Sequence, residues 1–310
     1  FVYCIDKLDI MKKLLLFLLL VPLVSFGQTA DELLKSGKKK ADLKLFRESV
    51  EDFTKYLSLE PKNSSVYYLK GYSEYKLRNY KISIEDLSKS IALNPNSYSS
   101  YYRRGLSKYN LKDYDGARDD LTKAIEINPS VEAFINRGNA SSKLRDYLKA
   151  LEDFSKSLEL DPKNTSAYIN RGSVKSKLKD YNGAIEDFSR AVALNPNNAS
   201  NYSRRGSLKY LLKDFKESIK DFSKAINLDS NNPVNYLKRA EAKFELEDYS
   251  MAIIDYTNFI DLDSTNIKAY SRRGIANENI GELIEACKDW RKAESLGHFY
   301  SSKWLLDSCN

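Results

Sequence analysis

The chain has 310 residues, 42% of them hydrophobic and 30% charged, with 7 Pro, 12 Gly and a formal net charge of +7. That balance excludes a low-complexity disordered chain and points to a helical globular or repeat protein. It also argues against a nucleic-acid partner, because Lys and Arg are mixed along the chain instead of gathered on one element.

From the N-terminal side, Met11-Lys12-Lys13 opens an apolar run from Leu14 to Val24, followed by the small residues Ser25 and Gly27. A basic start, a short apolar stretch and a small-residue end form the pattern of a secretory signal peptide. The expectation is a signal at residues 11–27 cleaved after Gly27, leaving Gln28 first. Pro22 interrupts the run, which is 11 residues long, whereas a bilayer span needs about 20. A retained membrane anchor is the alternative. Cys4 does not follow the run, so no lipid-anchored cysteine is expected. Residues 1–10 precede the signal and are expected to be read-through or added residues. Cleavage removes three Lys and two Asp and takes the net charge from +7 to +6. The mature chain is then expected to be exported, periplasmic or secreted, with no stable membrane insertion and a modest preference for acidic partners.

Beyond the signal the sequence repeats itself. Segments ending at Pro61, Pro95, Pro129, Pro162 and Pro196 follow one another at intervals of 34, 34, 33 and 34 residues, and Ser230 and Ser264 continue the register. A tiny residue recurs in each repeat: Gly37, Gly71, Gly105, Gly138, Gly172, Gly206, Ala240 and Gly274. Nine residues further comes an aromatic or Leu (Phe46, Tyr80, Tyr114, Tyr147, Tyr181, Phe215, Tyr249, Leu283), and three beyond that a Ser or Ala. A bulky residue such as Phe154, Phe188, Phe222 or Trp290 follows. Small residues let two helices approach and large ones fill the gaps beside them. Tyr168, Ile169, Val174 and Leu178 fit one helix, Ala184 to Leu194 a second, and Lys179 to Gly183 reads as the turn. One such hairpin cannot bury its apolar stripe alone, so neighbours must stack.

This register of Tyr, Gly, Tyr, Ala, Phe, Ala and Pro resembles the tetratricopeptide repeat family from Ala30 to about Gly297. The resemblance implies an all-α, right-handed superhelical solenoid of eight hairpins starting near residues 30, 64, 98, 131, 165, 199, 233 and 267. Residues 28–297 would form the solenoid. A C-terminal capping helix over Phe299 to Asp307 would cover the last open edge, within the tail 298–310.

The catalytic inventory is poor. His298 is the single histidine, so no His-paired nucleophile or multi-His metal site can be assembled, and no Gly-rich phosphate loop exists. His298 beside Gly297 reads as a helix cap. The expectation is no enzyme, no cofactor and no metal. Asp52, Asp86, Asp120, Asp153, Asp187, Asp221, Asp255 and Asp289 recur once per repeat, and Arg104, Arg137, Arg171, Arg205, Arg239 and Arg273 precede the small residue in six. A ladder of Arg–Asp pairs between helices is favoured over cation binding by the carboxylates. Ser36 and Lys70 replace Arg in the first two repeats, so the ladder is expected to be weakest there.

In the family, one face of the first helix of each hairpin lines a concave groove. The residue two before each tiny residue, Lys35, Leu69, Arg103, Asn136, Asn170, Arg204, Lys238 and Arg272, is placed on that face. Tyr68, Tyr72, Tyr75, Tyr102, Tyr109 and Tyr210 share it. Donors for carbonyls and carboxylates with flat aromatic anchors suit an extended peptide, acidic or with a free C-terminus. Some family members grip a terminal carboxylate with Lys, Asn and Arg in successive repeats, and Arg103, Asn136, Asn170 and Arg204 are similar in kind, although the full Lys and Asn pairing is absent. An ordinary solvated face is the alternative.

Cys287 and Cys309 remain after signal removal. In an oxidising compartment they are a disulfide candidate, the alternative being two buried or free thiols. A closed loop of 22 residues would contribute about 3 kcal/mol. The expected function is a non-enzymatic scaffold or adaptor holding a partner segment in its groove. The alternative is a structural subunit of a cell-envelope assembly that uses its convex or edge surfaces.

Overall fold

Short polar residues stand wherever a helix must satisfy its first backbone N–H groups. Asn63, Ser97, Ser130, Asn164, Asn232 and Asn266 accept from N–H groups of the first turn of their helices. Asp146, Asp180, Asp214 and Asp248 do so at four of the partner helices. Thr29 and Glu32 form a reciprocal capping box at the first helix.

The computed structural model of the protein describes residues 28–297 and Cys309. The expected signal peptide, residues 1–10, His298 and the expected capping helix lie outside the described residues. Among the described residues there are helices and no strands: α1 (Ala30–Asp42), α2 (Phe46–Leu59), α3 (Ser64–Lys76), α4 (Tyr80–Leu93), α5 (Tyr98–Asn110), α6 (Tyr114–Ile127), α7 (Val131–Lys143), α8 (Tyr147–Leu160), α9 (Thr165–Lys177), α10 (Tyr181–Leu194), α11 (Ala199–Leu211), α12 (Phe215–Leu228), α13 (Pro233–Glu245), α14 (Tyr249–Leu262), α15 (Ile267–Asn279) and α16 (Leu283–Ser295). No helix among them is long and apolar enough to cross a membrane.

The chain forms two compact units, one through Asp113 and one from Tyr114. In the first, α1 packs on α2 and α3 on α4, with α3 also against α2 and α5 against α4. In the second, α7–α8, α9–α10, α11–α12, α13–α14 and α15–α16 are hairpins. Each first helix also packs on the second helix before it, beginning with α7 on α6. That nearest-neighbour pattern is the packing of a tetratricopeptide-type solenoid.

The turn within each hairpin is shorter than Lys179 to Gly183. Lys179 takes φ 65°, its N–H donates to the Ser176 carbonyl at 3.1 Å and the Asp180 N–H donates to the Lys175 carbonyl at 2.9 Å. This double closure seals the end of a helix. Tyr181 then opens α10, and Gly183 lies in its first turn because the Asp180 carboxylate accepts its N–H at 3.0 Å. Lys44, Arg78, Lys112, Arg145, Lys213 and Glu247 repeat the left-handed conformation at φ 60–65°, which costs an L-residue about 1–2 kcal/mol. In the last hairpin Gly281 takes that slot at φ 85°, without the penalty.

The small-residue register marks where paired helices nearly touch. A Cβ at Gly37 would stand 2.6 Å from Phe53 Cε1, and one at Gly274 2.5 Å from Trp290 Nε1. Phe53 and Trp290 are both 0% exposed and have nowhere to go. Where Ser replaces Ala on the facing helix its hydroxyl is satisfied: Ser83 and Ser218 each donate at 2.8 Å to the carbonyl of the opposing Gly71 or Gly206.

An alanine at Gly37 or Gly274 is therefore expected to lower stability by about 1–3 kcal/mol through overpacking. At Gly172 the nearest atom is Asp187 Cβ at 3.2 Å, and there the helix-propensity gain of about 1 kcal/mol should bring alanine close to neutral. Urea unfolding of the three variants checks the ranking. A G274A protein as stable as the parent would show that the close approach is not required.

Candidate functional site

The recurring Arg and Asp pair, and the pairing is structural. In the second unit, Arg137, Arg171, Arg205, Arg239 and Arg273 each place Nη2 at 2.6–2.7 Å from the aspartate 16 residues ahead, on the partner helix. Nε closes the fork at 2.8–3.1 Å. Nη1 donates back to Thr122, Ser155, Ser189, Ser223 or Thr257 on the preceding second helix, at 2.9–3.3 Å. Each guanidinium also lies 5.6–5.9 Å from the ring three residues before it. One side chain thus ties three helices together. Among the described residues no group of three His, Cys, Asp or Glu is arranged to hold a metal ion.

The first two repeats keep the pair with lysine. Lys70 Nζ is 3.1 Å from Asp86 Oδ2, and Lys40, four residues after Ser36, is 2.7 Å from Asp52 Oδ2. Lys70 also donates to Asp86 Oδ1 at 3.2 Å, and in both repeats a single ammonium replaces the fork.

The residues expected on the groove face fall into distinct groups. In the first unit, Arg103 is enclosed: its guanidinium lies 4.9, 5.2 and 5.6 Å from the rings of Tyr72, Tyr75 and Tyr102. Its Nε is buried without a hydrogen-bond partner. Tyr68 stacks on Tyr72 at 6.4 Å and Tyr98 on Tyr102 at 5.6 Å. The expected open cation is therefore the centre of an aromatic box, held by cation–π attraction. Leu69 packs against the core around Leu33 and Phe53, Lys35 is exposed, and Tyr109 is half-buried.

In the second unit, the Asn136 amide donates to the Glu132 carbonyl of its own helix at 2.8 Å. Asn170 behaves differently. Its amide donates to Asn139 Oδ1 at 3.1 Å, and with Ser173, Lys143 and Lys177 these residues line a cavity of about 220 Å³. Arg204 extends the row, reaching Ser173 Oγ at 3.3 Å. Two amides, two hydroxyls and two lysines line the cavity, with Arg204 beside it and no acid in its wall, an arrangement that offers donors to an acceptor-rich ligand.

Further along, Lys238 pairs with the buried Glu241 at 2.8 Å, and Lys268 pairs with the same carboxylate. Arg272 lies 5.0 Å from the Phe244 ring and Lys238 5.8 Å from Tyr210. Glu241, Lys268 and Phe244 were not singled out from the sequence. Phe244 occupies the repeat position of Tyr75, Tyr109 and Tyr210, which was the available signal. Burial raises the Glu241 carboxyl, but hydrogen bonds and charge from Lys238 and Lys268 outweigh it and hold the group below its usual 4.5.

Cys287 and Cys309 are joined at 2.00 Å, and the bonded pair lies beside Ala286 and Trp290 of α16.

The tetratricopeptide repeat profile matches residues 64–97, 98–130, 131–164, 165–198 and 199–232, more than half of the chain. The chain belongs to the tetratricopeptide repeat family. Among solved structures, it resembles the C-terminal part of a tetratricopeptide repeat protein from Cytophaga hutchinsonii with a TM-score of 0.69 and 20% identity, over 77% of this chain and 99% of that one. It resembles MamA with a TM-score of 0.53 and 24% identity, over 56% and 94%. It resembles YrrB, a tetratricopeptide repeat protein with an unusual peptide-binding site, with a TM-score of 0.55 and 21% identity, over 59% and 96%. At these identities the likeness shows the fold. No curated protein matches the sequence. Tetratricopeptide repeat proteins are protein-interaction scaffolds and generally not enzymes, and this chain carries that scaffold.

Because the folded state holds the Glu241 carboxyl below 4.5, its ionised form contributes stability above that pH, and the contribution is lost as pH falls through the lowered folded value. Glu241→Gln is expected to melt below the parent at pH 7, with the gap closing as both are acidified through that lowered value. Thermal melts across pH 3–7 check this, and a gap independent of pH would show that the charge is not what stabilises the site.

Proposed function

We propose that this tetratricopeptide repeat protein is a non-enzymatic scaffold that holds an extended segment of a partner protein along the groove face of its first helices. The row Asn139, Asn170, Ser173 and Arg204 supports it, with Lys143 and Lys177 beside the same cavity. Two further cations, Lys238 and Arg272, stand in later repeats of the same face, each already partnered by Glu241 or Phe244. A wall rich in N–H donors favours peptide carbonyls and carboxylates, so the preferred segment is acidic or ends in a free C-terminus. Half-buried rings, Tyr147 at the cavity and Tyr210 in a later repeat, give the peptide flat apolar surface. Arg103, enclosed by its tyrosines, is not a ligand contact.

The protein is further proposed to act outside the cytoplasm. The Cys287–Cys309 bond belongs to oxidising compartments, and the segment from Met11 to Gly27 has the composition of an export signal.

Binding is tested with fluorescein-labelled acidic heptapeptides, each prepared as the free acid and as the C-terminal amide. The free acid is expected to bind, and Asn170→Ala and Arg204→Ala should each weaken it about ten- to a hundredfold, since a hydrogen bond to a charged group contributes about 1.5–3 kcal/mol. Both side chains are solvent-accessible, so the variants should melt with the parent. Peptides that bind parent and variants equally would remove the groove reading and favour partner contacts through the second helices.

A further inference from the structure

The buried aspartates of the second helices face one recurring position on the first helices, and its occupant varies between repeats. Four residues after the Arg position, on the same side of the first helix, most repeats bring a cationic or polar side chain to the buried aspartate. Lys40, Lys175, Lys209 and Lys243 lie 2.7, 3.0, 2.9 and 2.8 Å from Asp52, Asp187, Asp221 and Asp255. In the last repeat Asn277 donates to Asp289 at 3.3 Å. The second repeat has Glu74, whose carboxylate accepts from Asn79 at 2.7 Å. The fourth repeat has Ser141.

Ser141 is too short to reach Asp153, and its Oγ has no hydrogen-bond partner although the residue is 1% exposed. It lines a cavity of about 370 Å³ whose walls come from α6, α7 and α8. Asp153, Glu152 and Asp119 supply carboxylates to this cavity. The cations at its rim are already paired: Arg137 forks onto Asp153 itself, Arg118 pairs with Asp115 at 2.8 Å, and Lys149, 64% exposed, leans to Asp146. Burial holds the carboxyls of Asp86, Asp153 and Asp289 above the usual range. These are the aspartates facing Glu74, Ser141 and Asn277, where no lysine stands at the second donor position.

We propose that this cavity is a binding site for a primary ammonium group on an alkyl stem. The ammonium takes the place that Lys175, Lys209 and Lys243 fill in the next three repeats, donating to the Asp153 carboxylate and to Ser141 Oγ. The volume exceeds what one ammonium needs and leaves room for a methylene stem. A lysine side chain presented by a partner protein carries this group, and so does a free alkylamine. The Asp119, Glu152 and Asp153 carboxylates in its walls are not arranged as a group that could hold a metal ion. This assignment does not depend on the groove reading, because Asn170 and Arg204 take no part in it.

Amide-resolved NMR titration of the mature chain tests it, with three probes: Nα-acetyl-lysine methylamide, n-butylamine and Nα-acetyl-norleucine methylamide. The lysine derivative should give saturable shifts in residues 137–153, and the norleucine derivative, which has the stem without the charge, should give none. Binding of the lysine derivative at least tenfold tighter than butylamine identifies a polypeptide lysine as the source, and equal binding identifies free amines. Ser141→Lys should fill the cavity from within, abolish the shifts and melt above the parent. Ser141→Met blocks the cavity without charge and should also abolish the shifts, which keeps the test decisive if S141K folds poorly. Shifts that persist in both variants, equal shifts with norleucine, or no shifts with either amine would overturn the proposal.

Discussion

Every hairpin of the second unit depends on moving an aspartate out of water between two helices and finding it a partner there. Asp153, Asp187, Asp221, Asp255 and Asp289 are 1–6% exposed at the side chain. Desolvating a carboxylate costs several kcal/mol, and the attraction of one cation offsets this only with good geometry and further hydrogen bonds. The arginine provides both, because its planar fork closes on the carboxylate while its third nitrogen reaches the hydroxyl of the preceding helix. Loss of one partner would leave a buried charge, a penalty of about 3–5 kcal/mol in comparable pairs. The ladder therefore sets the spacing between successive helices as well as joining the two helices of a hairpin.

That ladder needs helices close enough for a fork to span them, and the small-residue register supplies the distance. Gly138 lets Phe154 and Asp153 of α8 approach within 2.9 and 3.2 Å of where a Cβ would be. Asp153 is thereby carried to Arg137, the neighbour of that glycine. Closeness and charge pairing are coupled: the residue that allows contact and the residue that forms the ion pair are adjacent in sequence and face the same helix. The left-handed residue at each turn fixes the entry of the second helix, so the same offset of 16 residues recurs in all five pairs.

Much of this was legible in the sequence. The recurrence of Gly, aromatic, Ala and Pro at a 34-residue spacing gave the hairpins, and the Arg and Asp positions gave the pairs, because both depend on backbone spacing. What depends on rotamers did not follow. Helical periodicity puts Arg103 and Arg204 on one face, but only the neighbouring tyrosines at 72, 75 and 102 decide that the first is enclosed and the second reaches Ser173. Asn136 and Asn170 share a repeat position, yet one amide turns to its own helix and the other to Asn139. Lys40 stood in the sequence as an alternative partner for Asp52, hidden because it is one helical turn away from the position being compared. The expected turn from Lys179 to Gly183 was too long because aspartate caps look like turn residues until their acceptor role is seen.

A repeat protein built in this way separates what must be constant from what is free to vary. The arginine, the aspartate, the tiny residue and the bulky residue each satisfy a demand imposed by the helix beside them, so a change at any of them is felt by neighbouring helices. The residues two before and one after the tiny residue on the first helix differ from repeat to repeat. Beside the constant small residue stand Asn136 with Asn139, Asn170 with Ser173, Arg204 with Ser207, and Lys238 with Glu241. The same argument applies to the residue one turn beyond the ladder arginine, where lysine, glutamate, asparagine and serine all occur. Where an arginine fork is present, as at Asp153, a group at that position adds to a pair that is already closed. Variation is tolerated at such positions, and they are where a ligand can be admitted without dismantling the stack.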